Sequence, residues 1–323
     1  MYAELFRARG PNPRGRIVGV ANQKGGVGKT TTSVNLAAAL ALRGHRILLV
    51  DVDPQSNATT GVGIDHRRLD RSTYDVLMGE SPLLDVVQRC SVPGLECAPA
   101  SLDLAGAELQ LAEVPGREQR LARALQDVAN RYDVVIVDCP PSLGLLTINA
   151  LAAGHDLIVP VQCEYYALEG LGQMLETADR VRKAFNPELR IGGLLLTMYD
   201  ARTKLAGQVA DEIKAHFPGA ALKTVIPRSV RLSEAPSFGE PVVTLDPAAR
   251  GSIAYRLLAA EIEGRFGLHS RGGGNGRQPG AATAVPGPGG RGYGTVTSVP
   301  RGVEEAWPPP VPWAAESTAR EER

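Results

Sequence analysis

Residues 24–31 read Lys24-Gly25-Gly26-Val27-Gly28-Lys29-Thr30-Thr31, with an apolar run, Ile17 to Asn22, before them and an Ala/Leu-rich stretch, Thr32 to Arg43, after them. The run before suits a buried strand and the stretch after suits a helix. Strand, glycine-rich turn and helix N-terminus make an anion site, because unpaired backbone N–H groups and the helix dipole converge there. The glycines at 25, 26 and 28 let the backbone wrap phosphate oxygens. Lys29 brings positive charge to the β/γ-phosphates, and Thr30 offers a hydroxyl to Mg²⁺. A loop of this kind needs one lysine. This one carries two, the second being Lys24.

Composition bounds the rest. The chain has 323 residues, 43% hydrophobic and 5% aromatic, with 35 Lys+Arg against 35 Asp+Glu. That is apolar content enough for a sizeable core, and no net field draws the chain to nucleic acid or membrane, so such binding needs a local patch. Cys90, Cys97, Cys139 and Cys163 form no C-x-x-C pair and have no histidines at zinc spacing; they read as buried thiols of a reducing cytoplasm. No apolar run is long enough to span a bilayer, and residues 1–15 lack the apolar core of a secretory signal. A cytoplasmic location is expected.

Three zones follow: a flexible leader at 1–15, a folded domain at 16–267, and a Gly/Pro-rich tail at 268–323 that reads as disordered. Trp307 and Trp313 flank the proline cluster of that tail, as a small docking motif or as stray aromatics in a linker. Within the domain, strands are expected at 17–21, 47–51, 95–98, 134–137, 157–161, 193–198 and 222–226. Helices are expected at 31–43, 118–131, 170–185, 206–216 and 252–266. The strands are short, Val/Ile/Leu-rich and without polar alternation, as in a parallel sheet covered on both faces. The fold class is α/β: a doubly wound, mostly parallel sheet flanked by helices, with ligands beyond the carboxyl ends of the strands.

Two further strands end on carboxylates. One reads Ile47-Leu-Leu-Val-Asp51-Val-Asp53-Pro54-Gln55 and the other Val134-Val-Ile-Val-Asp138-Cys-Pro-Pro-Ser142. An aspartate at the carboxyl edge of a sheet can hold Mg²⁺ through water or orient an attacking water. One alone is often a helix cap; two downstream of a complete phosphate loop point to one nucleotide pocket.

These three motifs together resemble the ParA/MinD group of deviant Walker A P-loop ATPases. Two later segments, Asp200-Ala-Arg202-Thr-Lys204 and Ile226-Pro-Arg228-Ser-Val-Arg231-Leu-Ser-Glu-Ala-Pro236, narrow the resemblance to the chromosomal ParA (Soj) branch. It covers roughly residues 16–265. The resemblance implies ATP and Mg²⁺ as ligands of the loop residues Lys24, Gly25, Gly26, Val27, Gly28, Lys29, Thr30 and Thr31. It makes Lys24 the lysine that crosses an ATP-dependent homodimer to the partner's phosphates, and Lys29 the lysine for the chain's own. Asp53 would position or activate the hydrolytic water. Thr30 would bind the metal directly and Asp138 through water. A cation supplied across an interface stabilises transition-state charge as an arginine finger does.

In this family the adenine ring lies near Met198 and the Pro227-Arg228 turn. There a Met and a proline can sandwich a base, or serve as ordinary core and turn residues. Arg202 and Arg231 match arginines on a dimer surface that binds double-stranded DNA without sequence preference, through phosphate neutralisation and counterion release. Lys204, Lys214, Lys223, Arg228, Arg250 and Arg256 lie in the same third of the chain. The implied function is an ATP-dependent switch for segregating chromosomes or plasmids, nucleoid-associated and reset by a ParB-type partner. Slow, partner-stimulated hydrolysis is expected. A MinD-like membrane switch is the alternative; it needs a C-terminal amphipathic helix, which the Gly/Pro-rich tail does not offer, so no membrane partner is expected. A metabolic enzyme on the same scaffold, an iron–sulfur reductase or a carboxylate-activating ligase, is the third reading, with Cys139 and Cys163 as its cysteines.

Overall fold

The parallel strands are buried along nearly their whole length, and that burial dictates helices on both faces of the sheet. The structure is a computed structural model that describes residues 2–6, 15–164 and 167–268. Its strands are β1 (Arg16–Val20), β2 (Ile47–Asp51), β3 (Gln88–Arg89), β4 (Leu95–Ala98), β5 (Val134–Asp138), β6 (Asp156–Gln162) and β7 (Arg190–Thr197). They lie in the order β3-β4-β2-β5-β1-β6-β7, parallel except for the antiparallel edge strand β3. The first helices are α1 (Lys29–Leu42), α2 (Asn57–Gly61), α3 (Thr73–Met78), α4 (Leu83–Val86), α5 (Leu104–Gln110) and α6 (Arg120–Gln126). After them come α7 (Leu145–Ala153), α8 (Ala167–Ala184), α9 (Lys204–His216), α10 (Val230–Glu234), α11 (Val242–Leu245) and α12 (Arg250–Phe266). The expected doubly wound α/β sheet is present.

Helix α1 starts at Lys29, inside the glycine-rich loop, and is buried along most of its length, Ala37 to Ala39 included. Such a helix sits in the core rather than over it. It packs between the sheet and α12, where the Thr32 hydroxyl meets the buried Tyr255 hydroxyl at 3.1 Å. At the amino end of the sheet the buried Arg16 holds Asp156 at 2.7 Å and stacks over the Phe266 ring at 4.2 Å. This pair ties β1, β6 and the end of α12 together.

Three departures from the sequence reading have physical causes. Residues 222–226 form no strand: the segment touches β7 only at its two ends. There the N–H groups of Leu222 and Ile226 reach the Leu194 and Leu196 carbonyls at 3.0 and 2.8 Å, and isolated bridges pair Ala221 with Leu194 and Pro227 with Tyr199. The N–H groups of Lys223 and Thr224 go instead to the Glu261 carboxylate, at 2.7 and 2.8 Å. Leu222 presses onto the bare backbone of Gly193, where a Cβ would stand 2.7 Å from it. Residues 118–131 are not one helix but α6 between two 3-10 turns, Arg117–Gln119 and Ala129–Arg131. The Asn149 side chain, from α7, accepts the N–H of Leu121 at 3.1 Å, a cap no local pattern announces. Part of the expected flexible leader is folded, since Ala3–Phe6 makes a 3-10 turn that buries Leu5 and sets Phe6 against Phe217. Residues 7–14, Trp307, Trp313 and all of the tail beyond Leu268 lie outside the described residues.

Candidate nucleotide site

The loop 24–31 leaves the carboxyl end of β1, between β5 and β6, with β2 one strand beyond β5. Gly26 and Gly28 have φ of 73° and 86°, and Gly28 caps α1 in the left-handed region. A side chain at either position is strained, so glycine is what lets the loop curl. The loop is pinned from outside. Asn22 reaches the Pro160 carbonyl at 2.7 Å and accepts the Lys24 N–H at 3.1 Å. Thr197, at the end of β7, donates to the Val27 carbonyl at 2.8 Å. Neither Asn22 nor Thr197 was singled out in the sequence. An Asn two residues before the loop lysine was the available signal; Thr197 directly precedes Met198, at the strand end the resemblance sets near the adenine, but nothing local links it to Val27.

The two lysines point to different places. Lys29 is buried, and its ammonium folds back to the Lys24 carbonyl at 3.0 Å, inside the ring of the loop. Burial pulls its pKa down, against Asp138 and Asp53, which favour the charged form. Lys24 turns away from the loop toward the end of β6 and meets Glu164 at 2.8 Å, with side chains 38% and 51% exposed. One lysine therefore serves its own loop, and the other stands at the surface on a pair weak enough to be exchanged.

The aspartates also divide. Asp138 is fully buried, and its Oδ1 accepts the Ser33 hydroxyl at 2.7 Å, while its Oδ2 has no hydrogen-bond partner. Burial above all, and then the charge of Asp51, push its pKa up; the Ser33 and Thr30 hydroxyls pull the other way. Thr30 thus lies near the carboxyl without completing a bond to Oδ2. An orphaned, buried carboxylate oxygen beside a hydroxyl fits a divalent cation with oxygen ligands. Asp51 has no such vacancy. Its Oδ2 takes the Thr59 N–H and hydroxyl at 2.9 and 2.7 Å, and its Oδ1 takes the Asp53 N–H at 3.0 Å. It shapes the turn that carries Asp53, whose Oδ1 accepts the Gln55 N–H at 2.9 Å.

Met198, Pro227 and Arg228 come together with Gly28 and Thr31 around a cavity of about 160 Å³. Met198 sits at φ 51°, a conformation a non-glycine residue rarely holds. The Tyr199 N–H and carbonyl bond Ile226 and Arg228, at 3.0 and 3.3 Å, and so dock the Pro227 turn on the end of β7. All the residues singled out for a base therefore line one cavity beside the loop.

The proposed DNA arginines are exposed but not free. Arg202, 88% exposed, grips both oxygens of Asp200 at 2.9 and 2.7 Å and pulls that carboxyl down to about 2. Arg231, 60% exposed, is shared between Glu234 at 3.0 Å and Asp246 at 3.3 Å. Lys204, Lys214, Lys223 and Arg250 are exposed. Cys139 and Cys163 are buried and their thiols are pushed up by that burial, so neither is a ready thiolate. No group of three or more His, Cys, Asp or Glu is arranged to hold a metal among the described residues. Nor is any described helix long and apolar enough to cross a membrane.

Comparison with known proteins gives a consistent set of relatives. An AAA domain family profile matches residues 15–191. The chain is 54% identical to the sporulation initiation inhibitor protein Soj of Bacillus subtilis over 77% of this chain and 98% of that protein. It is 50% identical to the chromosome partitioning protein ParA of Caulobacter vibrioides over 77% of this chain and 94% of that protein. Among solved structures, cobyrinic acid a,c-diamide synthase from Mycobacterium smegmatis, with bound ATP analog and magnesium, superposes with a TM-score of 0.67. It is 42% identical and covers 76% of this chain and 93% of its own.

Proposed function

The chain belongs to the ParA/Soj family of chromosome-partitioning ATPases, and on that premise we propose that it is an ATP-driven DNA-partitioning switch of the cytoplasm and nucleoid. The observation that carries the reading is the divergence of the two loop lysines, Lys29 into its own loop and Lys24 outward to Glu164. Lys29 and the loop N–H groups hold the nucleotide's phosphates, while Met198, Pro227 and Arg228 hold the base. Lys24 exchanges Glu164 for the phosphates of a second protomer, so nucleotide completes the dimer.

Thr30 and, through water, Asp138 would hold Mg²⁺, which supplies positive charge to the β- and γ-phosphate oxygens. The unpartnered Asp138 Oδ2 supports that assignment. Asp53, on the turn that Asp51 builds, orients the attacking water. The dimer doubles a basic surface around Arg202 and Arg231, so duplex DNA is held by avidity when ATP is bound. A ParB-type partner stimulates hydrolysis and releases the DNA.

Three variants separate these roles. Lys24→Ala loses ATP-stabilised dimers, Asp53→Ala keeps the dimer but loses turnover, and Arg231→Glu keeps ATP binding but loses DNA. Identical behaviour of all three would overturn the division. The synthase likeness favours a carboxylate-activating enzyme as the second reading. Rapid hydrolysis without DNA or partner would support it, and slow basal hydrolysis counts against it.

A further inference from the structure

A groove of about 640 Å³ crosses the amino ends of β2, β4 and β5, at the opposite end of the sheet from the phosphate loop. Its floor is apolar: Val92 and Leu95 are buried, and Leu84 and Val87 are half-buried. Arg46, Arg89 and Arg131 stand around it, all exposed. None of the three makes an ion pair among the described residues, although Arg43, Arg68, Arg71, Arg180 and Arg182 elsewhere on the surface all do. The lining has one carboxylate, Glu96, and its Oε2 is taken by the Tyr132 hydroxyl at 2.6 Å. Burial and then Glu96 push that phenol up, while the charges of Arg131 and Arg46, which line the same groove, pull it back.

We propose that this groove docks an extended acidic segment of a partner protein, with carboxylates on Arg46, Arg89 and Arg131 and apolar side chains on the Leu84–Val87–Val92–Leu95 floor. Charge complementarity argues for it: three guanidinium groups without an ion pair among the described residues, each with a planar fork that matches a carboxylate, outnumber the one lining carboxylate, Glu96. The apolar floor decides against a nucleic acid, since a duplex offers phosphates but no side chain to fill it. The surface lies away from the nucleotide site and from Arg202 and Arg231, so it is independent of the switch proposed above.

The test uses the full chain and a labelled synthetic peptide of alternating glutamate and leucine, eight residues long, read by fluorescence anisotropy in about 0.1 M salt. The lysine–leucine counterpart and an all-glutamate octamer are the controls. The acidic alternating peptide is expected to bind, the all-glutamate peptide more weakly, and the lysine peptide not at all. The double variant Arg46→Glu, Arg131→Glu should lose at least about tenfold in affinity for the acidic peptide. Its melting temperature and ATP-dependent DNA retention should stay as in the wild type, because both side chains are exposed. Absence of peptide binding, equal binding of the lysine peptide, or undiminished binding by the double variant would overturn the proposal. So would loss of DNA retention with peptide binding intact, which would make the groove a nucleic-acid surface.

Discussion

Asp51 and Asp138 stand in register on the neighbouring parallel strands β2 and β5, both fully buried, and only Asp51 has hydrogen bonds to both of its oxygens. The two carboxylates that the sequence presents alike therefore do different work. Asp51 is architecture, and Asp138 keeps an oxygen in reserve.

The architectural role of Asp51 is open to measurement. Asp51→Asn puts an amide donor where at least one of its three donors now points, so a buried N–H or hydroxyl is left unpaired at a cost of about 1–3 kcal/mol. Urea denaturation at pH 8 should show that loss, and the turn carrying Asp53 should exchange its amide protons faster. Unchanged stability would remove Asp51 from the architecture.

The reserved oxygen of Asp138 has a pH signature. Its folded pKa, like that of Asp51, is raised mainly by burial. A carboxyl whose folded pKa lies above its unfolded value holds more protons when folded, so stability falls as pH rises between the two values. The window opens near pH 4, where an unfolded aspartate ionises, at about 3.9. In the presence of a chelator, wild-type stability should decline from there toward neutrality, and Asp138→Asn should flatten the decline. An unchanged pH slope in that variant would contradict a raised Asp138.

Ser33 holds Asp138 Oδ1 at 2.7 Å and is itself buried. Removing a group that orients a metal-binding carboxylate lowers metal affinity by about 10–100-fold. Ser33→Ala should accordingly shift the Mg²⁺ dependence of ATP hydrolysis to higher concentration with little change in nucleotide binding without metal. A parallel loss of both would assign Ser33 to the fold alone.

Asp200 restrains Arg202 through two bonds. If Arg202 contacts DNA as proposed, Asp200→Asn removes a charge that competes with DNA phosphate, so ATP-dependent DNA affinity should rise and fall more steeply with salt, by about one unit of log–log slope. Arg202→Ala should weaken DNA in the opposite direction. If Asp200→Asn leaves DNA binding untouched, Arg202 is not a DNA contact.

What could be read in the chain follows from how local each signal is. The loop 24–31, the strands ending at Asp51 and Asp138, and α1 are written in contiguous residues, and each appears within a residue or two of its expected bounds. The Met198–Pro227–Arg228 cavity was legible only through resemblance, because it joins residues about thirty apart. The false strand at 222–226 has a strand's composition, but the N–H groups of Lys223 and Thr224 in its middle are captured by Glu261 from α12. Thr197 on the Val27 carbonyl, Asn149 at the start of α6 and Glu164 on Lys24 likewise depend on side chains distant in sequence. Tertiary partners decided these, and no local pattern encodes them.

In the proposed switch Lys24, paired outward with Glu164, joins two protomers. Sedimentation velocity with Mg²⁺ and a slowly hydrolysed ATP analogue separates that role from a purely structural one, with wild type and Lys24→Ala compared at equal nucleotide occupancy. The expected result is a dimer for the wild type and a nucleotide-bound monomer for Lys24→Ala. A Lys24→Ala dimer as stable as the wild type's, or a wild type that stays monomeric with nucleotide bound, would contradict it.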